Sequence, residues 1–128
     1  MNRYISLGIA MLAGAAIGAA AVGGLHAQGK PKAYLVTELQ VLDAAATAAY
    51  GPKVQATQKA AGGRVLNTAG GRVTSLEGAP PPQRVAITEW DTLEQAQAWN
   101  NSAARKNLLP ERDKAERLIR AYVVEAVN

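Results

Sequence analysis

Two kinds of apolar pattern divide this chain. From Ile5 to Leu25 the residues are uncharged and run without a period, whereas from Ala33 onward apolar and polar positions alternate or recur at helical spacing. Ala33 to Val41 (AYLVTELQV) reads as a strand. Leu35, Leu39 and Val41 share a core face, and Tyr34, Val36, Glu38 and Gln40 share a mixed one. Asp43 is placed to cap a helix through the alanine-rich stretch that follows. The pair Gly51-Pro52 predicts a break there, because proline has no backbone N–H to donate, with a second helical piece from Pro52 to about Ala61.

Gly62-Gly63 ends that helix, and Arg64 to Thr68 begins a second strand. Gly70-Gly71 predicts a bend in one long strand that continues through Arg72 to Leu76, with a tight hairpin as the alternative. Gly78 to Pro82 (GAPPP) reads as a rigid loop, and Arg84 to Trp90 (RVAITEW) as a third strand rich in β-formers. Asp91-Thr92 caps the next helix, with Thr92 and Gln95 at capping-box spacing and Leu93, Ala96 and Trp99 as its apolar stripe. Asn100-Asn101-Ser102 breaks it. A further helical segment runs from about Ala103 past Pro110, and Leu118 to Val127 is the last strand.

The order strand, helix, strand, strand, helix, strand predicts an α+β fold. It is the ferredoxin-like βαββαβ sandwich, an antiparallel sheet with helices on one face. The last strand is apolar on both sides: Tyr122, Val124 and Ala126 point one way, and Ala121, Val123 and Val127 the other. Helices cover one face only. A second copy packed sheet to sheet about a two-fold axis is the expected cover for the other, giving a homodimeric α/β barrel.

The apolar run has the parts of a signal peptide over residues 1–27: a basic start with Arg3, the uncharged core, and Ala27 at a cleavage point before Gln28. Its 21 residues also suffice to span a bilayer, so an uncleaved anchor is the alternative, and only then is a membrane a partner. Twelve of the 21 are Gly or Ala, which contribute little transfer energy and favour cleavage. Either outcome predicts a periplasmic or secreted location, with residues 28–32 as a linker and 33–128 as the folded domain.

Composition then removes chemistries. Cysteine is absent, so disulfides, thiolate nucleophiles and cysteine zinc sites are excluded. The single histidine, His26, falls in the leader, so a cleaved chain has no imidazole base or ligand, and no metal site is expected. The paired glycines lack the context of a phosphate loop, and no cofactor is expected. The net charge of +4 is mild, and the run Glu111, Arg112, Asp113, Lys114, Glu116, Arg117 alternates in sign as a solvated helix face does. Nucleic acid is therefore not an expected partner.

Tyr50 to Leu66 (YGPKVQATQKAAGGRVL), Leu76-Glu77-Gly78, Arg84 to Trp90 followed by Asp91 to Ser102, and Pro110-Glu111-Arg112 together resemble the domain-of-unknown-function family DUF1330. The likeness extends from about Ala33 to Val127. It implies a ferredoxin-like fold of the dimeric α/β-barrel type and no established activity. By position it implies family places at Tyr50, Gly62-Gly63, Glu77-Gly78, Arg84, Glu89 beside Trp90, Trp99 and Arg112. The chain departs from the family pattern at Asn100 and Arg105, where relatives tend to carry tyrosine; if those tyrosines line a pocket, this pocket is more polar.

The candidate chemistry is sparse. Glu89, beside Trp90, is a candidate general base with Tyr50 as proton donor and Arg112 or Arg84 as anion stabiliser; its other reading is a structural ion partner for Arg84 or Arg112. Tyr34, Tyr50, Arg84 and Trp99 are candidates for binding a small organic ligand, although the helical stripe alone accounts for Trp99. Two principal functions follow, with a membrane-tethered interaction module as a third if the leader stays attached. One is an exported homodimeric module of the cell envelope that binds a small molecule or a partner. The other is a cofactor-independent enzyme of the monooxygenase or isomerase type, acting on a small organic substrate in the barrel pocket.

Overall fold

The computed structural model describes residues 29–127; the leader, His26 included, lies outside the described residues. Strand β1 (Ala33–Val41) leads into helix α1 (Ala44–Ala60), short strand β2 (Arg64–Leu66) and strand β3 (Arg84–Trp90). Three helices follow, α2 (Leu93–Asn100), α3 (Ala103–Lys106) and α4 (Leu109–Ala115), before the final strand β4 (Glu116–Glu125). The sheet runs β2-β3-β1-β4 and every neighbouring pair is antiparallel. This is the expected ferredoxin-like α+β sandwich. Pro31–Asn128 forms one compact unit, and none of the described helices is long and apolar enough to cross a membrane.

The caps read from the sequence close their helices. Asp43 Oδ1 accepts from Ala46 N at 2.9 Å, and Thr92 Oγ1 accepts from Gln95 N at 3.1 Å. Each satisfies a donor that the first helical turn leaves unpaired. The Gln95 side chain completes the second cap by accepting from Asp91 N at 3.2 Å.

Four element boundaries differ from expectation. The last strand runs over Glu116–Glu125 and not Leu118–Val127, because the chain passes straight from helix to strand at Ala115-Glu116. The helix does not break at Gly51-Pro52, and α1 carries Pro52 inside its 17 residues. The carbonyl that loses its partner belongs to Ala48, which is exposed and open to water, and Gly51 has no Cβ to meet the proline ring. The second strand stops at Leu66 instead of bending through Gly70-Gly71 to Leu76. Thr68 N donates to Leu66 O at 2.8 Å and Gly71 N to Thr68 O at 2.9 Å, so local turns take the groups a ladder would need, and Gly70 has φ of 85°, outside the β region. The segment after Ala103 divides at Asn107-Leu108 into α3 and α4, where Pro110 sits in the first turn of α4 and fits that position.

One face of the sheet carries the core. Ala33 and Leu35 of β1 and Trp90 of β3 pack with Ala96 and Trp99 of α2, and Val54 of α1 and Val123 of β4 lie against them. The rings of Trp90 and Trp99 stand 5.9 Å apart with a 34° tilt, a separation typical of favourable aromatic pairs. With no phenylalanine available, these two rings are the largest units of burial. Gly63 makes room for them: a Cβ there would lie 2.9 Å from Trp90 Cη2 and Cζ2.

Among the described residues, no helix lies on the opposite face. The register places Tyr122 across from Val36, Val124 across from Tyr34, and Val36 across from Ile87, so an apolar strip runs over three strands. Tyr122 is 42% exposed and Val124 51%. Two ion pairs border the strip: Arg120 Nε to Glu38 Oε2 at 2.7 Å, and Arg64 Nε to Glu89 Oε1 at 2.7 Å.

The candidate cleft between sheet and helices

On the helix-covered face, the strands and α1 separate toward the end of the sheet where β4 begins. They leave a cavity of about 80 Å³. Leu35, Leu39 and Ala86 supply apolar floor from β1 and β3, while Tyr50 and Val54 descend from α1 and Trp99 from α2. Four charged side chains also reach the lining: Arg84 from β3, Arg105 from α3, Arg112 from α4 and Glu116 from the first position of β4.

Burial sets the protonation of this group. The Tyr50 side chain is almost wholly enclosed, and loss of water pushes its phenol up to about 12. Glu116 is 3% exposed; burial raises its carboxyl above the ordinary range, against the opposing pull of Arg84 and Arg112. Arg84 Nε lies 3.5 Å from Glu116 Oε1, an ion pair in which both partners are largely shielded. Arg105 lies 5.8 Å from the centre of the Trp99 ring, within cation–π range, and donates to Asn100 O at 3.2 Å.

Of the residues singled out from sequence, Tyr50, Arg84, Trp99 and Arg112 come together at this cleft. Glu89 and Tyr34 do not. Tyr34 pairs across from Glu89 on the open face of the sheet, with the sheet itself between them and Tyr50. The expected Glu89 partners, Arg84 and Arg112, are likewise on the far side. Glu89 instead takes Arg64 at 2.7 Å and Lys32 at 3.2 Å, which hold its carboxyl below the usual range. That environment favours the ion-partner reading over the base. Glu38 shares the open face, but it has its own arginine, Arg120, and is likewise held low.

The carboxylate of the cleft is Glu116, which the charge alternation of residues 111–117 concealed as part of a solvated helix. The chain turns from helix to strand between Ala115 and Glu116, and this change of period aims Glu116 inward. Ala115 O accepts from Leu42 N at 2.9 Å, Asp43 N at 3.1 Å and Thr47 Oγ1 at 3.1 Å, which pins the turn against the start of α1.

The family described as a domain of unknown function (DUF1330) matches residues 32–127, three quarters of the chain and all of the sheet. The chain belongs to the DUF1330 family. Asn100 and Arg105, the two positions singled out in the sequence as more polar than the family resemblance implies, both line the cleft. No curated protein matches the sequence. Solved structures share the fold. The RPA0582 protein of unknown function from Rhodopseudomonas palustris superposes with a TM-score of 0.59 at 15% identity, over 77% of this chain and 85% of that one. SnoaB, a cofactor-independent oxygenase from Streptomyces nogalater, superposes with a TM-score of 0.56 at 11% identity, over 77% of this chain and 95% of that one.

Proposed function

We propose that this DUF1330 domain is an exported homodimeric module of the cell envelope that binds a small organic molecule in the cleft beneath α1. The observation that carries the reading is the cleft itself, where Tyr50, Arg84 and Glu116 present shielded polar groups beside apolar walls from Leu35, Leu39 and Val54. A few placed polar groups in an otherwise apolar hollow are what small-molecule recognition requires. The uncovered apolar strip of Val36, Ile87, Tyr122 and Val124 supports pairing with a second copy, and the leader supports export.

Native mass spectrometry of the protein recovered from its producing cells tests all three parts. The expected spectrum shows a dimer, an N-terminus at Gln28 and an organic molecule released on denaturation. A monomer that starts at Met1 and releases nothing would overturn the reading.

A second reading, a cofactor-independent enzyme acting on a small organic substrate, draws on Tyr50 and Glu116 sharing one cleft. A buried phenol can donate to a developing oxyanion, and a carboxylate whose pKa burial has raised is a stronger base than an exposed one. The shared fold with SnoaB is an analogy of architecture alone. Incubating the co-purified molecule with wild type and with Glu116→Gln separates the two. Turnover by wild type that vanishes in the variant, with binding retained, supports the enzyme; a molecule unchanged by both supports the binding module.

A further inference from the structure

The cleft holds more positive charge than its own residues balance. Three guanidiniums line it, and Glu116 is the single carboxylate among the lining residues. Arg84 is matched to Glu116. Arg112 contacts Asp113 at 2.9 Å, but that carboxylate is 64% exposed and stands outside the lining. Arg105 has a carbonyl and the Trp99 ring for company, and none of the carboxylates among the described residues lies within ion-pair distance of it.

A guanidinium carries five N–H donors in a planar fork suited to two oxygens at once. Arg105 uses one of its donors on Asn100 O. Burial is the main cost of the Arg105 charge, and the like charge of its neighbour Arg112 adds to it. An incoming oxyanion offsets both by pairing with the charge. The walls limit what carries it: Leu35, Leu39, Val54 and Trp99 favour an apolar body over a bare inorganic ion, and the cavity of about 80 Å³ favours a compact one.

We propose that the ligand of the cleft is a small organic monoanion, a carboxylate in the simplest case, whose oxygens are received by Arg105 and Arg112 while its apolar part lies between β1 and α1. This deepens the binding reading above and rests on it. Arg105 then sets specificity: it distinguishes a charged ligand from its neutral counterpart.

Tryptophan fluorescence, which reports through Trp99 at the cleft, is titrated with butyrate and benzoate and, separately, with butyramide and benzamide. A carboxylate is expected to bind about tenfold or more tighter than its amide, the worth of one charge-assisted hydrogen bond. Arg105→Gln is expected to remove that preference, Arg105→Lys to keep part of it, and Arg72→Gln, at an exposed position outside the lining, to leave it intact. Thermal melts of each variant establish that it is folded. Amides that bind as well as carboxylates would overturn the anion inference while leaving a binding cleft, as would a preference that survives in folded Arg105→Gln. Absence of binding by all four probes would remove the binding reading together with the inference.

Discussion

The indole N–H of Trp99 donates to the hydroxyl of Thr57 across 3.0 Å, joining α2 to α1 at the rim of the cleft. Thr57 in turn donates to Val54 O at 2.7 Å, so one hydroxyl serves as acceptor and donor. Thr57→Val keeps the shape and removes both bonds, leaving an enclosed donor on Trp99. A loss of about 1–3 kcal/mol is expected in urea denaturation, and Thr57→Ser should recover most of it.

Gly63 is needed for space and not for its backbone angles. A methyl group there meets Trp90 at 2.9 Å and Thr88 Cγ2 at 3.0 Å, in a region where Trp90 is fully buried. Gly63→Ala should destabilise by about 1–3 kcal/mol through overpacking, with an altered near-ultraviolet circular dichroism spectrum from the displaced ring. Gly78→Ala provides the contrast. Its Cβ enters open space, but φ of 84° makes an alanine costly by about 1–2 kcal/mol without disturbing the tryptophan signal.

Two sets of carboxylates give stability opposite dependences on pH. Glu38 and Glu89 sit below their ordinary value of 4.5 in the native state, so the unfolded chain binds their protons more readily. Their stabilising contribution is complete above 4.5 and is lost as pH falls through the lowered native values. Glu116 is raised above 4.5, so the native state holds its proton more tightly, and its contribution is lost as pH rises from 4.5 through the raised native value. Urea midpoints measured across this range should show an acid-side loss that shrinks in Glu38→Gln and a decline above 4.5 that disappears in Glu116→Gln.

The homodimer proposed above places the strip around Val124 against its symmetry mate. Val124→Lys puts a charge in that interface while leaving the opposite, core-bearing face of the sheet untouched, since Val124 is 51% exposed in the single chain. Sedimentation equilibrium should show the wild type at twice the chain mass and the variant at one chain mass, with unchanged far-ultraviolet circular dichroism. A wild type that stays monomeric at high concentration would remove the pairing.

Much of the fold was legible because its signals are local. Alternation located β1 and β3, and Asp43 and Thr92 marked helix starts through the short-range chemistry of their side chains. The end of β2 was not legible, because turn bonds at Thr68 and Gly71 compete with sheet pairing and sequence does not weigh the two. Persistence of α1 through Pro52 depended on Ala48 facing solvent, a fact of tertiary position. At the site, the same alternation that buries Trp90 already assigns Glu89 to the other side of the sheet. That signal was available, whereas the pairing of Glu89 with Arg64 required the register of β2 against β3. Glu116 was hidden because the change from helix to strand falls one residue before it.

The order in which the sheet is built has a consequence for how the protein is made. β1 is the first strand of the domain and lies between β3 and β4, so one of its two edges is closed by the last element of the chain, over a register from Ala33 with Glu125 to Val41 with Glu116. That pairing spans some eighty residues of sequence, and such distant closure is slow. Residues 116–125 must be made before the strand at 33–41 can find its final neighbour. Until then the domain remains unlocked, and removal of Glu116–Glu125 would leave the middle of the sheet without one of its sides.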